Sequence, residues 1–540
     1  MSNTIELLHE IQRLMELKGE NPFKIRAFEK AAQNLSGRED LTERAQHGTL
    51  TELPGIGKAI AEIVTEHVLQ GSSKVRDELA QSLPPGLVEL TQVPGLGPKK
   101  ALLLIQELGI QSLGELEYAC KENRLLNLRG FGPKMQQKIL EGIAFQNQHQ
   151  GFQRLSDAFP VAEEFLQFFQ KESGGIRISE TGALRRRLET LQELEFLIEL
   201  RDGIDAKPIA EQILSHFSKT RFGLLPVRFY FSPQKSFGYE LAKTTGTAEH
   251  WEALGNPGLF EATTEEEFFK WIGLPWIPPE TRETGEEVSL ARSGYLSHLL
   301  PWDGLRGVFH NHTTRSDGTD TLEEMVKAAR KQGYDYIGIS DHSQSAFYAQ
   351  GLKTDLLLEQ EKEVRLIQEK YPDIRIFWGI ESDILADGSL DYESEVLKKF
   401  DFVIASVHSR FKMDKKDMTA RILKAIRNPC TRFLGHPTGR LLLGRKGYDL
   451  DMEAVLDEAA QCGVAVELNS NPARLDIDWR WGPEMRKKNV FISVNPDAHE
   501  TAGLQDTRYG IAMARKAMIS TDRVVNSRST REVEQWLKRS

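Results

Sequence analysis

Cysteine is nearly missing: Cys120, Cys430 and Cys462 are the only three in 540 residues, and they lie far apart. That excludes a disulfide framework and a paired-cysteine zinc site, and it points to a reducing, cytoplasmic setting. No run of about 18 apolar residues occurs, so no membrane partner is expected. The first twenty residues carry acids and bases on a helical pattern and do not read as a signal peptide. An excess of positive charge is lacking too, the net charge being −10. Any nucleic-acid binding must therefore rest on local geometry rather than bulk charge. What remains is ordinary globular composition, 40% hydrophobic and 27% charged, over a length that suggests three or four domains.

The most informative stretch is RGVFHNHTTRSDG, Arg306 to Gly318. It reads as a short strand ending in His310 and His312, with Asp317 following. Side chains alternate along a strand, so an H-x-H pair points two imidazoles the same way, which suits two ligands of one metal. Four further histidines follow β-like runs: His342 after YIGIS, His408 after FVIASV, His436 after TRFLG, and His499 after VFISV. Glu381 closes IFWGI, and Asp497 precedes His499. Helical patterns intervene, such as Leu322, Met325, Val326 and Ala329 behind the capping box Thr321-x-x-Glu324, ending at Gly333. Strand, ligand, helix, strand is the grammar of an α/β barrel with its functional residues at the strands' C-terminal ends.

A repeat marks the other end of the chain. LPGIGKAIAEIV, VPGLGPKKALLL and LRGFGPKMQQKI each place a Gly-x-Gly turn before a helix: Gly55 and Gly57, Gly95 and Gly97, Gly130 and Gly132. Glycine lets backbone amides approach a ligand, and the helix N-terminus offers free N–H groups to a phosphate. Residues 1–150 hold 17 Lys and Arg against 19 Asp and Glu, so the expected contact is backbone to backbone and sequence-independent.

These segments resemble helix-hairpin-helix motifs, and with ENPFKIRAFEKAA they look like the amino-terminal domain of family X DNA polymerases. The position that carries the lyase lysine in that family falls on Ile63, with Lys58 one to two turns away, so no lyase activity is expected. TGALRRRLETLQELEFLIEL resembles the nucleotidyltransferase palm signature. Here Gly182 remains, Ala183 replaces a serine, Glu193 and Glu195 stand where aspartates belong, and Arg228 falls at the third carboxylate. Each Asp→Glu change moves a carboxylate by about 1 Å, enough to cost roughly 10²-fold, and a cation at the third position repels metal. The resemblance thus implies a retained palm with polymerase activity lost or very weak, and a poor Mg²⁺ site. The run Arg185-Arg186-Arg187 is a candidate phosphate contact or a solvated face. The Glu- and Pro-rich stretch from about Thr264 to Ser297 reads as an extended link.

From Gly307 onward the chain resembles the PHP domain (polymerase and histidinol phosphatase) of bacterial family X polymerases, through FHNHTTRSDG, ISDHS, GIESDIL, ASVHSRF, GHPTGR, ELNSNPARLDI and PDAH. The resemblance implies a distorted (β/α)7 TIM-like barrel holding three divalent metals (Mn²⁺, Zn²⁺ or Fe²⁺). Its ligands would be His310, His312, Asp317, His342, Glu381, His408, His436, Asp497 and His499, with Glu381, His310 and Asp497 catalytic. Asp341 would orient His342, and Arg410, Arg440 and Arg474 would clamp phosphate or form salt bridges. Val308 departs from the family's usual aspartate.

The implied fold is multidomain, α followed by α/β. Its parts are a helical DNA-binding domain with the first hairpin (1–85), a fingers-like hairpin domain (86–148), the palm (149–240), a thumb-like region and link (241–295) and the phosphoesterase barrel (300–540). The implied activity is 3′→5′ exonuclease, extending to 3′-phosphatase or abasic-site endonuclease, on gapped, nicked or 3′-ended DNA, by a monomer. The alternatives are an active gap-filling polymerase with proofreading, a non-catalytic scaffold on gapped DNA, and a small-molecule phosphatase.

Overall fold

The computed structural model describes residues 2–538 except 37, 39, 85, 114–115, 117–118, 121–124, 126–127, 129, 150, 202–204, 220–224, 347–348 and 444–445. The chain divides into two compact units, 1–151 with 218–223, and 152–217 with 224–540.

The first unit is helical. Each Gly-x-Gly turn is followed by a helix, Lys58–Gln70, Pro98–Leu108 and Pro133–His149. The apolar residue between the glycines is buried in all three (Ile56, Leu96 and Phe131) and plugs the turn into the core. Gly55, Gly95 and Gly130 have φ of 76°, 88° and 88°, a left-handed turn that glycine makes without strain.

The second unit begins with a palm-like layer. Strand β1 (Gln153–Arg154) pairs antiparallel with β3 (Thr190–Leu191). Strands β2 (Ile178–Glu180), β4 (Leu194–Leu200) and β5 (Val227–Pro233) form a sheet in the order β2-β4-β5, antiparallel then parallel. Phe165, Phe169, Phe196 and Phe217 pack as the core between its helices and this sheet.

The Glu- and Pro-rich stretch is not an extended link. It folds into helices Glu265–Trp271 and Glu286–Arg292 around a core of Phe268, Phe269, Ile277, Val288 and Ala291. The acids that suggested solvent are its ties. Glu267 closes a capping box with Thr264, and buried Glu265 accepts two bonds from Arg185 (both 2.7 Å) and two from Arg282 (2.6 and 3.2 Å). Buried Glu287 meets His250 Nδ1 at 2.6 Å. Composition cannot distinguish a solvated glutamate from one that anchors a buried arginine.

The remainder is a seven-stranded parallel barrel: β6 (Gly307–Val308), β7 (Tyr336–Ile339), β8 (Arg375–Asp383), β9 (Phe402–Ser406), β10 (Thr431–Leu434), β11 (Ala465–Asn469) and β12 (Ile492–Asn495), neighbours in sequence order. Its strands are buried almost throughout, as a sheet covered by helices requires. β12 and β6 meet through the Asn495 side chain, which accepts from Phe309 N at 3.0 Å, and through an Asn311–Ala498 bridge. Phe309, Tyr336, Phe377, Phe402 and Phe433 fill the interior, over the carboxy-terminal helix Thr530–Leu537. A Cβ on Gly379 would lie 2.3 Å from the Phe402 ring, which is why that strand position is bare. The helix Leu322–Lys331 has the expected Thr321/Glu324 capping box, with Leu322, Met325, Val326 and Ala329 all buried.

Candidate metal centre

The strand ends of the barrel bring the nine candidate ligands together. His310 and His312 leave β6, Asp317 lies on the loop beyond, and His342 follows β7. Glu381 sits in β8, His408 follows β9, His436 follows β10, and Asp497 and His499 follow β12. Glu381 is the hub: its carboxylate lies 3.2 Å from His310 Nε2, 2.9 Å from His342 Nδ1, 3.2 Å from His408 Nε2 and 3.0 Å from His436 Nε2. Asp497 stands 3.1 Å from His312 Nε2 and 3.5 Å from His310 Nε2. Asp317 stands 3.4 Å from His499 and 3.5 Å from His342. Three groups have ligand atoms within 4.8 Å of one another: His312, Asp317, His342 and His499; His310, His312 and Asp497; His342, Glu381 and His408. His436 adjoins them through Glu381 and through His408 Nε2 at 3.3 Å. The floor around His310 and Glu381 is sealed, while Asp317 and His499 are 29% and 37% exposed, so the site opens on their side.

The chemistry of this set fits divalent cations. His310 Nε2, His312 Nδ1 and Glu381 Oε2 are buried without a directed hydrogen bond despite the crowding. The far ring nitrogens, by contrast, are held: His310 Nδ1 to Glu467 at 2.7 Å and His408 Nδ1 to Asp383 at 2.7 Å. A carboxylate on one ring nitrogen fixes the tautomer and leaves the other as a lone pair for a metal. Burial works against charge on Glu381 and Asp497, but the surrounding histidines outweigh it and hold both carboxyls well below their usual range. Burial and the neighbouring His499 and His342 push His312 down to about 3, keeping that ring neutral. Burial also opposes charge on His342, yet Glu381 and Asp317 lift it to about 10. The strain of left-handed backbone at His436 (φ 20°) and Asp497 (φ 54°) falls on two of these positions.

Glu467, on β11, escaped the sequence reading. Fully buried, it takes His310 on one oxygen and His436 N (2.8 Å) on the other, and it is braced by Asn469 and Asn495. It supplies His310 with a carboxylate in a chain where Val308 replaces the usual aspartate. The only signal was a lone acid inside the apolar run AVELN. Asp341 does not take the role expected of it: its bonds go to Thr313 N and Oγ1 (both 2.8 Å), Ser316 and Gln360 (both 2.6 Å), fixing the loop after His312. Of the three arginines, Arg474 reaches the site, with Nε 3.5 Å from Asp497. Arg410 is exposed at the rim with φ 57°. Arg440 is turned into structure, donating to the carbonyls of Arg474 (2.9 Å) and Leu475 and to Asp478.

The palm positions tell a different story. Arg228 lies in register with Glu195 across β4 and β5, and its Nε donates to Glu193 at 3.0 Å. Glu195 accepts from Ala183 N at 3.1 Å and from Tyr230 Oη at 3.0 Å. Gly182 (φ 58°) makes room for this, since a Cβ there would fall 1.7 Å from Glu195 Oε2. The carboxylates are thus satisfied from within the protein. The arginine run is neither solvated nor offered to phosphate: Arg185 binds Glu265, Arg186 binds Glu283, and Arg187 binds Glu180.

In the helical unit, Ile63 is buried and Lys58 is exposed at a helix start. A Cβ on Gly57, Gly97 or Gly132 would meet nothing within 4 Å, so neighbouring protein does not require these glycines, and the space beside them is open to a ligand.

Among the described residues no helix is long and apolar enough to cross a membrane. Hairpin helices, a palm-like sheet and a barrel whose strand ends gather histidine and carboxylate side chains define a multidomain chain with a candidate metal centre. Family models agree, matching a helix-hairpin-helix domain over residues 2–73, a SAM-like helix-hairpin-helix tandem over 87–144 and a PHP domain over 309–471. The DNA polymerase/3′-5′ exonuclease PolX of Bacillus subtilis (strain 168) is 34% identical over 568 residues, covering 99% of each chain. The chain belongs to the PolX family. A probable phosphatase of Thermoanaerobacter sp. (strain X514) is 28% identical over 243 residues, 42% of this chain and 93% of its own. A probable phosphatase of Vibrio atlanticus (strain LGP32) is 29% identical over 201 residues, 35% of this chain and 76% of its own.

Proposed function

We propose that this chain is a metal-dependent phosphodiesterase that removes nucleotides from DNA 3′ ends during base-excision-type repair, with 3′-phosphates and abasic ends as further substrates. Its polymerase activity is lost or very weak. The observation that carries this reading is the contrast between the two candidate centres. In the barrel, His310 Nε2, His312 Nδ1 and Glu381 Oε2 lie buried among converging groups without directed hydrogen bonds, whereas in the palm Arg228 pairs with Glu193, and Tyr230 and the Ala183 amide donate to Glu195. The names of the relatives, a DNA polymerase/3′-5′ exonuclease and several probable phosphatases, support the same chemistry.

Mixed imidazole and carboxylate donors suit Mn²⁺, Zn²⁺ or Fe²⁺, and three adjoining clusters suit three ions. Bound there, such ions supply Lewis acidity, polarising a phosphoryl oxygen and acidifying water. The protein's part is to hold them and to orient the ester. Glu381 keeps its charge between the clusters. His310, locked by Glu467, presents Nε2, and Asp497 completes that side. Arg474 and Arg410 grip the phosphate next to the scissile bond, and the 3′ end enters past Asp317 and His499. The three hairpins hold duplex, gapped or nicked DNA by its backbone, through amides beside Gly55, Gly57, Gly95, Gly97, Gly130 and Gly132. The protein works as a monomer in the cytoplasm.

The test is a denaturing gel on a 5′-labelled primer–template with Mn²⁺ and dNTPs, comparing wild type with His310→Ala. A shortening ladder from wild type alone is expected. Primer extension would overturn the reading of the palm, and an unchanged primer with a retained gel shift would make the chain a scaffold.

A further inference from the structure

The palm contributes one carboxylate to the barrel. Glu189 lies between the Gly182–Arg185 helical turn and β3, where its backbone carbonyl caps Leu155 N at 3.0 Å. Its side chain is 8% exposed, and both oxygens point out of the palm. One accepts from Trp479 Nε1 at 3.0 Å, the other from Arg480 at 2.5 Å. A buried carboxylate needs such partners, because an unpaired one is costly to desolvate. Both partners belong to the barrel loop between β11 and β12.

That loop is also the one that brings Arg474 to the metal centre. It carries a left-handed residue, Leu475 (φ 43°), so its course depends on ties to its surroundings. Besides bonds to its own barrel, such as Thr438 N to Asp476 at 3.0 Å, two ties bear on the palm contact. Arg480 also binds Asp478 at 3.1 Å, and Asp478 holds Arg440, which donates to the carbonyls of Arg474 and Leu475. Lys516, buried 4.7 Å from the Trp479 ring, donates to the palm carbonyl of Arg186 at 3.0 Å and binds Glu283. A continuous run of polar contacts therefore leads from palm Glu189 through Arg480, Asp478 and Arg440 to Arg474, whose Nε stands 3.5 Å from Asp497.

We propose that Glu189 is a positioning residue for the barrel's phosphate grip, and that the palm, emptied of its own chemistry, persists as the support that holds Arg474 in register. This rests on the phosphodiesterase reading above for its kinetic consequence, though not for its structural one. Glu189 touches neither substrate nor ligand; it acts through the loop.

The test uses the full chain with Mn²⁺ and a 5′-labelled primer–template. Losing a charge-assisted tie of this kind is expected to raise the KM of Glu189→Ala roughly tenfold. Its kcat should stay within about twofold, and its Mn²⁺ content at saturation should not change. Because both residues act through one contact, Glu189→Ala/Arg474→Ala should be no weaker than Arg474→Ala alone. A wild-type KM for Glu189→Ala, or losses that multiply in the double variant, would overturn the proposal. If Glu189→Ala does not fold, Glu189→Gln keeps an acceptor for Trp479 while removing the charge facing Arg480. It should show a smaller KM rise, and an unchanged KM there overturns the proposal equally. Hydrogen exchange over residues 470–481 decides independently of activity. Faster exchange in either variant is expected, and unchanged exchange overturns the proposal even if wild type proves inactive, a result that would instead refute the phosphodiesterase reading.

Discussion

Glu381→Gln is the substitution that tests the metal centre most directly. It preserves shape and removes charge at the carboxylate that four imidazole nitrogens approach within 3.2 Å. The amide retains one acceptor oxygen but turns an NH₂ toward nitrogens that must present lone pairs. Removing one partner from a buried charged cluster costs about 3–5 kcal/mol, which at 1.4 kcal/mol per decade is roughly 10²–10⁴ in metal affinity. Glu381 belongs to the cluster with His342 and His408, so the expected result is loss of at least that ion. Protein dialysed against micromolar Mn²⁺ would be assayed for bound metal by mass spectrometry, for melting with and without EDTA, and for primer shortening. A ligand that binds only the folded state raises stability by about 2.7 kcal/mol at a hundred times its Kd. Wild type should therefore melt lower in EDTA, and Glu381→Gln should lose much of that difference along with its exonuclease activity. A full metal complement with activity within about threefold of wild type would refute the hub role of Glu381.

Glu265→Ala strands Arg282, which is fully buried, and should destabilise the second unit by about 3–5 kcal/mol; a calorimetric melt unchanged within about 1 °C would contradict the buried network. Burial pushes the Asp506 carboxyl up to about 6, from 3.8. The folded state therefore binds the extra proton between those values, and the stability this group contributes is full below about pH 4 and lost as pH rises through about 6. Asp506→Asn should gain about 1 kcal/mol at pH 8, after allowance for solvent screening, and nothing at pH 4, in urea melts at the two pH values. Equal gains at both would exclude titration as the cause. Gly97→Ala places a Cβ in open space at an ordinary φ of −73°, so stability should fall by no more than about 1 kcal/mol, the difference between glycine and alanine at a helix N-cap. Its gel shift on gapped duplex should weaken about threefold to tenfold if phosphate approaches there; an unchanged shift removes that hairpin from the interface.

Much of the barrel was legible because its signals are local and periodic. An H-x-H at a strand end, a capping box before an apolar helix and acids just past β-like runs each follow from geometry within a few residues. The hairpins were legible for the same reason, as three copies of one turn. What stayed hidden depends on distant partners. Glu467 is a single acid in an apolar strand, and only the arrival of His310 from β6 gives it a role. The segment from Thr264 to Ser297 has the composition of a linker, and its acids became structural because Arg185 and His250 come to them from elsewhere in the chain and Arg282 folds back on Glu265 from seventeen residues away. The arginine run at 185–187 was ambiguous between solvent and phosphate, and the answer was neither, since each guanidinium found an internal carboxylate. Asp341 next to His342 suggested a pair, yet the backbone turns its side chain toward Thr313 and Gln360.

The Glu193–Arg228 ion pair has a consequence for how such a chain can change. While a palm holds metal, its carboxylates repel one another whenever the ions leave. Once an arginine stands among them, that repulsion is gone without any ion. Single substitutions there change charge more than stability, because Arg228 is 56% exposed: Arg228→Asp gathers three acids with no counter-charge, and replacing Glu193 with an apolar residue leaves the guanidinium to solvent. Cation binding there would need several substitutions at once, including one at Glu195, whose carboxylate is bonded to Tyr230 and the Ala183 amide. The pair gives this sheet a charge balance of its own, one that holds whether or not a cation is near.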